Sequence, residues 1–181
     1  MNQVGETTAG NKPPLPAKGS IQETVATLQV QLRHSDSATL AALRRADPAA
    51  PPMEFYRLSV RVLDDILPGD GRDRSKIETQ WLLIMSSMAR SFDLWSRVDL
   101  GQAMARAKVA EARVVKLLEA RGNGLADILR TIVHQLVQKG QSFDPVDIAK
   151  LVLSEGSDTE KDIRRKIARN FYRHQNAETK L

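Results

Sequence analysis

From Ile21 onward, large apolar residues recur at spacings of three and four, and no segment alternates with period two between hairpin turns. A strand shows the same face every second residue, whereas a helix repeats its stripe every 3.6. The pattern therefore excludes a sheet and calls for helices packed on helices. A chain of 181 residues can build one good core or two small helical lobes, but not two ordinary domains. The expected class is all-α: two small helical bundles in one compact chain, with about eight or nine helices and short connections.

Local punctuation divides the chain. Residues 1–20 hold Gly5, Gly10, Pro13, Pro14, Pro16 and Gly19 with few large apolar groups, which predicts a flexible N-terminal tail. Val25, Leu28 and Leu32 predict a helix over 21–34, and Leu40 and Leu43 a short one over 37–46, stopped near Asp47-Pro48. Pro51-Pro52 lead into a third helix with Phe55, Leu58, Val62 and Ile66 on one face and Pro68-Gly69 at its end. Gly69-Asp70-Gly71 reads as a turn. The stretch 75–92 is apolar on much of its circumference (Ile77, Trp81, Leu82, Ile84, Met85, Met88), which predicts deep burial.

Residues 93–98 are the expected joint between an N-terminal lobe, 21–96, and a C-terminal lobe, 97–175. Asp99 is expected to cap a helix from Leu100; periodicity leaves open whether 100–121 is one helix or two broken near Lys108. Gly124 opens the next helix and Gly140 stops it. Asp144 followed by Pro145 places a capping carboxylate before a proline at the first helical position. Ser157 and Glu160 have capping-box spacing ahead of a last helix over 158–175, with 176–181 as a C-terminal tail.

Many kinds of chemistry are missing. The absence of cysteine excludes disulfides, thiolate metal sites and cysteine nucleophiles, and fits a reducing compartment, so a cytoplasmic location is expected. No apolar run approaches the length of about 18 residues that a membrane span needs, and the N-terminus lacks the apolar stretch of a secretory signal. His34, His134 and His174 lie far apart, and neighbouring Asp64 and Asp65 would point about 100° apart on a helix. Neither set suits a metal. There is no phosphate loop and no GxSxG elbow, and neither Gly69-Asp70-Gly71 nor Gly122-Asn123-Gly124 follows a strand. No enzyme, metal or cofactor is expected.

The basic residues are more informative. Net charge is +5, from 27 Lys+Arg against 22 Asp+Glu, which modestly favours a polyanionic partner. In the last helix, Lys161, Arg165, Arg169 and Arg173 recur every four residues along one flank. Ile163, Ile167 and Phe171 have the same spacing, offset by about 200°. One face docks, while the other carries cations, with Arg164 and Lys166 beside them. A solvated face and a phosphate-contacting ridge both fit this pattern. Arg44-Arg45, Arg57 and Arg61, and a run from Arg106 to Arg130 repeat the theme. Aromatic residues are only 4% of the chain and Trp81 sits among core residues, so any nucleic acid should be held by its backbone rather than by stacked bases. Residues 111–139 have the outline of a helix-turn-helix, but the second helix offers Arg130 and few other base-reading side chains.

Several pieces then follow in order: Leu43-Arg44-Arg45-Ala46, Phe55-Tyr56-Arg57-Leu58, Leu100-Gly101-Gln102-Ala103-Met104-Ala105 and Glu111-Ala112-Arg113-Val114-Val115-Lys116-Leu117-Leu118. After them come Leu129-Arg130 and Ile167-Ala168-Arg169-Asn170-Phe171-Tyr172. This order and spacing, over roughly 37–173, resembles the CasB family, the small subunit of the type I-E CRISPR surveillance complex Cascade. Where that family has a glycine between the Leu-Gly and Glu-x-Arg helices, Lys108-Val109 stands here.

The resemblance implies a two-lobed, all-helical protein without enzymatic activity. Such a subunit works as a pair with a second copy of itself, beside the large subunit and the guide-RNA backbone subunits. It touches guide RNA only indirectly, and helps to hold target DNA, chiefly the displaced non-target strand of the R-loop. By motif, the resemblance assigns the basic surface to Arg44, Arg45, Arg57, Arg113 and Arg130. The helical stripe adds Arg165 and Arg169, and a helix end adds Arg121. The competing expectation is a helical protein-interaction scaffold whose basic faces bind no nucleic acid.

Overall fold

Nine α-helices and one short 3-10 turn make up the described residues, with two isolated bridges in place of any strand. The structure, a computed structural model, describes residues 20–69 and 71–178. The expected tail up to residue 19, Asp70 of the expected turn and residues 179–181 lie outside it.

Helix α1 (Ile21–Arg33) starts from a capping box: the Ser20 hydroxyl accepts from the Glu23 N–H at 3.2 Å, and the Glu23 carboxylate accepts from the Ser20 N–H at 2.9 Å. Val25, Leu28 and Leu32 are fully buried. Helix α2 (Ser37–Arg44) is capped by Asp36, whose carboxylate accepts from the Thr39 N–H at 2.7 Å. Helix α3 (Met53–Val62) follows Pro52 and stops short of the expected end near Pro68. The N–H groups of Ile66 and Leu67 both turn back to the Leu63 carbonyl at 2.9 Å. Leu63 and Leu67 thereby reach the core, which leaves Ile66 only half-buried.

Helix α4 (Arg72–Arg90) is the central strut. Every residue from Trp81 to Ala89 is buried, because α1, α2, α7 and α8 surround it. A 3-10 turn over Phe92–Leu94 follows.

The region 100–121 is two helices, α5 (Leu100–Arg106) and α6 (Glu111–Glu119). The break is a Schellman end. The Lys108 N–H bonds to the Ala105 carbonyl at 2.9 Å and the Val109 N–H to the Met104 carbonyl at 3.0 Å, with Val109 buried beneath. Lys108 sits at φ 54°, in the left-handed region that favours glycine.

Helix α7 (Gly122–Gln138) begins two residues before Gly124 and ends in a second Schellman turn on Gly140, φ 62°. Helix α8 (Pro145–Leu153) has its expected cap, the Asp144 carboxylate accepting from the Val146 N–H at 2.9 Å. Helix α9 (Glu160–Glu178) runs three residues past the expected 175.

Two expected caps are replaced by other contacts, the first of them long-range. Asp99 makes no capping bond; the buried Asp147 carboxylate accepts the Leu100 N–H at 2.9 Å, and Asp99 pairs with Lys166 at 2.8 Å. At α9, Glu160 turns to the Gly156 N–H at 2.6 Å and to Arg164 at 2.9 Å rather than closing a box with Ser157.

Helices α5 and α9 cross at Gly101. A Cβ there would lie 2.9 Å from the Phe171 nitrogen and closer still to the Ile167 carbonyl oxygen, so only glycine allows this approach. The segment 94–98 is stitched to 143–144 by three backbone bonds: Phe143 N–H to Leu94 at 3.0 Å, Ser96 N–H to Phe143 at 3.0 Å and Asp144 N–H to Val98 at 2.8 Å. With α1 and α4 packed on α8, and α4 on α7, residues before and after position 96 share one continuous apolar core.

Candidate nucleic-acid interface

Three of the expected arginines belong to one locality, and its centre is a fourth that sequence reasoning missed. The C-terminal ends of α2 and α4 meet. The Arg44 Nε donates to the Ala89 carbonyl at 2.8 Å, and the Arg90 Nη2 donates to the Arg44 carbonyl. Each helix thus ends on the other's last arginine. The carbonyl end of a helix carries about half a negative charge, which offsets part of the repulsion between the two cations. Arg45, the C-cap of α2, is exposed and has no side-chain partner among the described residues. Arg130 on α7 is half-buried, with only a 3.6 Å pairing to the exposed Asp127.

Arg90 is half-buried and lies within electrostatic reach of both Arg130 and Arg44. Burial, then those two charges, push its pKa below the ordinary arginine range. Its Nε is buried with no partner among the described residues. The available signal in the sequence was a basic residue closing the last turn of a helix whose C-terminal half is a run of apolar and small residues.

The remaining expected residues are spread more widely. Arg57 is exposed on α3, where it lines a shallow depression with Tyr56, Val60 and Arg61. Arg113 on α6 donates to the Gln135 amide oxygen of α7 at 2.7 Å while remaining exposed. Arg121 precedes α7 and pairs with Glu160, and its Nη1 donates to the Glu119 and Ala120 carbonyls at 2.8 and 2.9 Å. Much of its hydrogen-bonding capacity is therefore used within the fold.

The ridge on α9 is present: Lys161, Arg165, Arg169 and Arg173 are all exposed. Arg165 holds only an exposed neighbour, Asp162, at 3.2 Å, and Arg169 has no side-chain partner among the described residues. The two cations expected beside the ridge are different. Arg164 is only 7% exposed; it donates to the Leu117, Leu118 and Ala120 carbonyls at 2.9, 2.9 and 3.1 Å and closes the end of α6. Lys166 is held by Asp99 at 2.8 Å and Asp147 at 3.5 Å, the Asp99 bond contributing most to a raised pKa.

No group of three or more metal-ligating side chains occurs among the described residues, and no helix there is long and apolar enough to cross a membrane. Trp81 is buried in the core, so it offers no base-stacking platform. Such arginine-rich surfaces can hold phosphates by charge and by forked hydrogen bonds.

Comparison with known proteins gives the same direction. A family model described as CRISPR-associated protein Cse2 matches residues 39–172. The fold resembles a chain in the crystal structure of E. coli Cascade bound to a PAM-containing double-stranded DNA target, with 19% identity and a TM-score of 0.63, covering 84% of this chain and 96% of that one. It also resembles M. ruber CasB, with 21% identity and a TM-score of 0.66, covering 89% and 97%. No curated protein sequence matches significantly.

Proposed function

The chain belongs to the Cse2 family, the non-catalytic small subunit of type I-E Cascade, and from that premise we propose that it holds DNA backbone and stabilises the R-loop and its displaced non-target strand. The observation that carries this reading is the meeting of Arg44, Arg45 and Arg130 around Arg90 with little acidic compensation. R-loop opening exchanges one duplex for another of similar stability, so a few backbone contacts can tip the balance. In this proposal the 21–96 lobe contributes Arg44, Arg45 and Arg57, and the 97–175 lobe contributes Arg113, Arg121, Arg130, Arg165 and Arg169. The large subunit, the guide-RNA backbone subunits and a second copy of this chain are the proposed neighbours, guide RNA is met only indirectly, and the site of action is the cytoplasm.

The test uses the assembled complex. Affinity for target DNA should fall as salt rises; about four phosphate contacts to single strand give a log–log slope of about −3. Charge reversal of Arg44, Arg45, Arg113 and Arg130 together should shorten R-loop lifetime and flatten that slope. Unchanged lifetime and slope would overturn the proposal.

One observation favours a protein-docking role in addition. Met53, Tyr56 and Val60 are 64%, 43% and 68% exposed along one side of α3, and Val30 on neighbouring α1 is 52% exposed. Val60→Asp should weaken assembly into the complex without changing DNA affinity of the complex that does form. Equal loss of both would merge the two roles.

A further inference from the structure

We infer that the outer face of α9 is a track for one run of the displaced strand, with Lys161, Arg165, Arg169 and Arg173 meeting successive backbone phosphates, an inference that rests on the nucleic-acid reading above and adds Lys161 and Arg173 to it. One helix alone fixes the placement. Cations four residues apart on an α-helix rise about 6 Å per step and turn about 40°. The row therefore runs about 18 Å along α9 and winds about a third of the way round it. All four side chains are exposed. The opposite face is the one that packs: Ile167 and Phe171 are buried, and their backbone meets α5 at Gly101. An extended single strand repeats its phosphates at an interval comparable to one step of the row, so a backbone laid along α9 meets one cation per nucleotide.

The charge pattern separates this face from an ordinary solvated one. A solvated helix face carries opposite signs at i,i+4, whereas like charges at that spacing repel and destabilise the helix. From Lys161 to Arg173 every i,i+4 step of the row is cation to cation, and between Ile163 and Ala177 there is no Asp or Glu to interrupt it. Asp162 stands beside the row and holds Arg165 at 3.2 Å, but both side chains are more than half exposed, so the pair is weak. Lys161, Arg169 and Arg173 have no side-chain partner among the described residues. On the flank towards α6, the Glu111 carboxylate accepts from the Tyr172 hydroxyl at 2.8 Å. The fold draws its own cations from elsewhere on the helix: Arg164 closes the end of α6, and Lys166 ties α9 to Asp99 and Asp147. The four outer cations have no such task. A small anion would reach one or two of them, whereas an extended polyanion relieves the repulsion along the whole row.

The experiment places two variants in the assembled complex: Lys161→Gln with Arg173→Gln, which removes both ends of the row, and Asp162→Asn, which frees Arg165. Affinity for target duplex is measured across salt, and melting of the subunit is followed alongside. The double variant should bind more weakly and lower the steepness of the salt slope by about 1.4, the loss of two single-strand phosphate contacts. The parent's advantage should therefore shrink about sevenfold between about 50 and about 200 mM salt. Its melting should not fall, since the row's repulsion is relieved. Asp162→Asn should bind target a few-fold more tightly, a gain that damage to the fold would not produce. With the guide-complementary strand supplied alone, parent and double variant should bind alike. Equal loss on that strand would assign the row to the target strand and overturn the inference. An unchanged salt slope would make the face a solvated one, and weaker assembly or guide retention with unchanged DNA affinity would give it another partner; both overturn the inference too. If the four-arginine reversal weakens binding while the double variant does not, this inference alone fails; if neither has an effect, the DNA reading itself fails.

Discussion

Lys108 keeps a left-handed backbone at φ 54° because the Schellman bonds of α5 and the burial of Val109 hold it there. The conformation costs an L-residue about 1–2 kcal/mol, and glycine would return part of that gain as unfolded-state entropy. Lys108→Gly should therefore stabilise the chain by about 0.5–1 kcal/mol and raise the melting temperature by about 2–3 °C. A lower melting temperature would mean that the lysine side chain contributes contacts of its own. The sequence carried the missing glycine as an anomaly, but periodicity could not say whether the helix broke there, since both halves keep the same apolar face.

Glu160 makes a second test at this scale. Burial opposes its charge, yet the Gly156 N–H, Arg164 and Arg121 together outweigh that and hold its pKa below the ordinary 4.5. A carboxylate depressed in the folded state stabilises fully above its unfolded pKa, and this is lost as pH falls through the folded value. Melting temperature should thus decline as pH drops below about 4.5, and Glu160→Gln should flatten that decline. Asp144 acts in the opposite direction, burial raising its pKa, so the comparison between variant and parent isolates Glu160. An identical acid profile in the two proteins would remove Glu160 from the account.

Among elements, the α5–α9 crossing depends on one missing side chain. Gly101→Ala forces a methyl against the α9 backbone, which has no flexible tip to yield, and should cost about 1–3 kcal/mol or prevent folding. Gly124→Ala, in the first turn of α7, meets nothing nearer than the Ala120 Cβ at 4.0 Å and should gain about 0.5–1 kcal/mol from helix propensity. Urea denaturation of the two variants checks the pair, and equal effects would contradict the close crossing. Element positions were largely readable, because caps such as Asp144-Pro145 and stops such as Gly140 act within a turn or two. The end of α3 was misread because Leu63 and Leu67 compete with Ile66 for the core, a contest settled by neighbouring helices.

Over the whole molecule, a continuous core and the 94–98 to 143–144 bonds join the residues before and after position 96. Unfolding should accordingly be a single transition, with far-ultraviolet circular dichroism and tryptophan fluorescence changing together. Trp81 lies in the buried core and Trp95 in the segment bonded to 143–144, so separate melting of the two halves would split the two signals. The all-helical class followed from periodicity alone, since helical spacing and helix caps are local properties of the chain. Which cations remain available for a ligand did not follow. Arg164 and Lys166 were indistinguishable in sequence from Arg45 and Arg169, yet the first two are held by carboxylates and carbonyls. Most of those partners lie dozens of residues away, and Arg90 meets the end of α2 only because α4 packs beside it. Charge along a helix is set residue by residue, but its neutralisation depends on which helix ends are brought alongside, and packing of the core decides that.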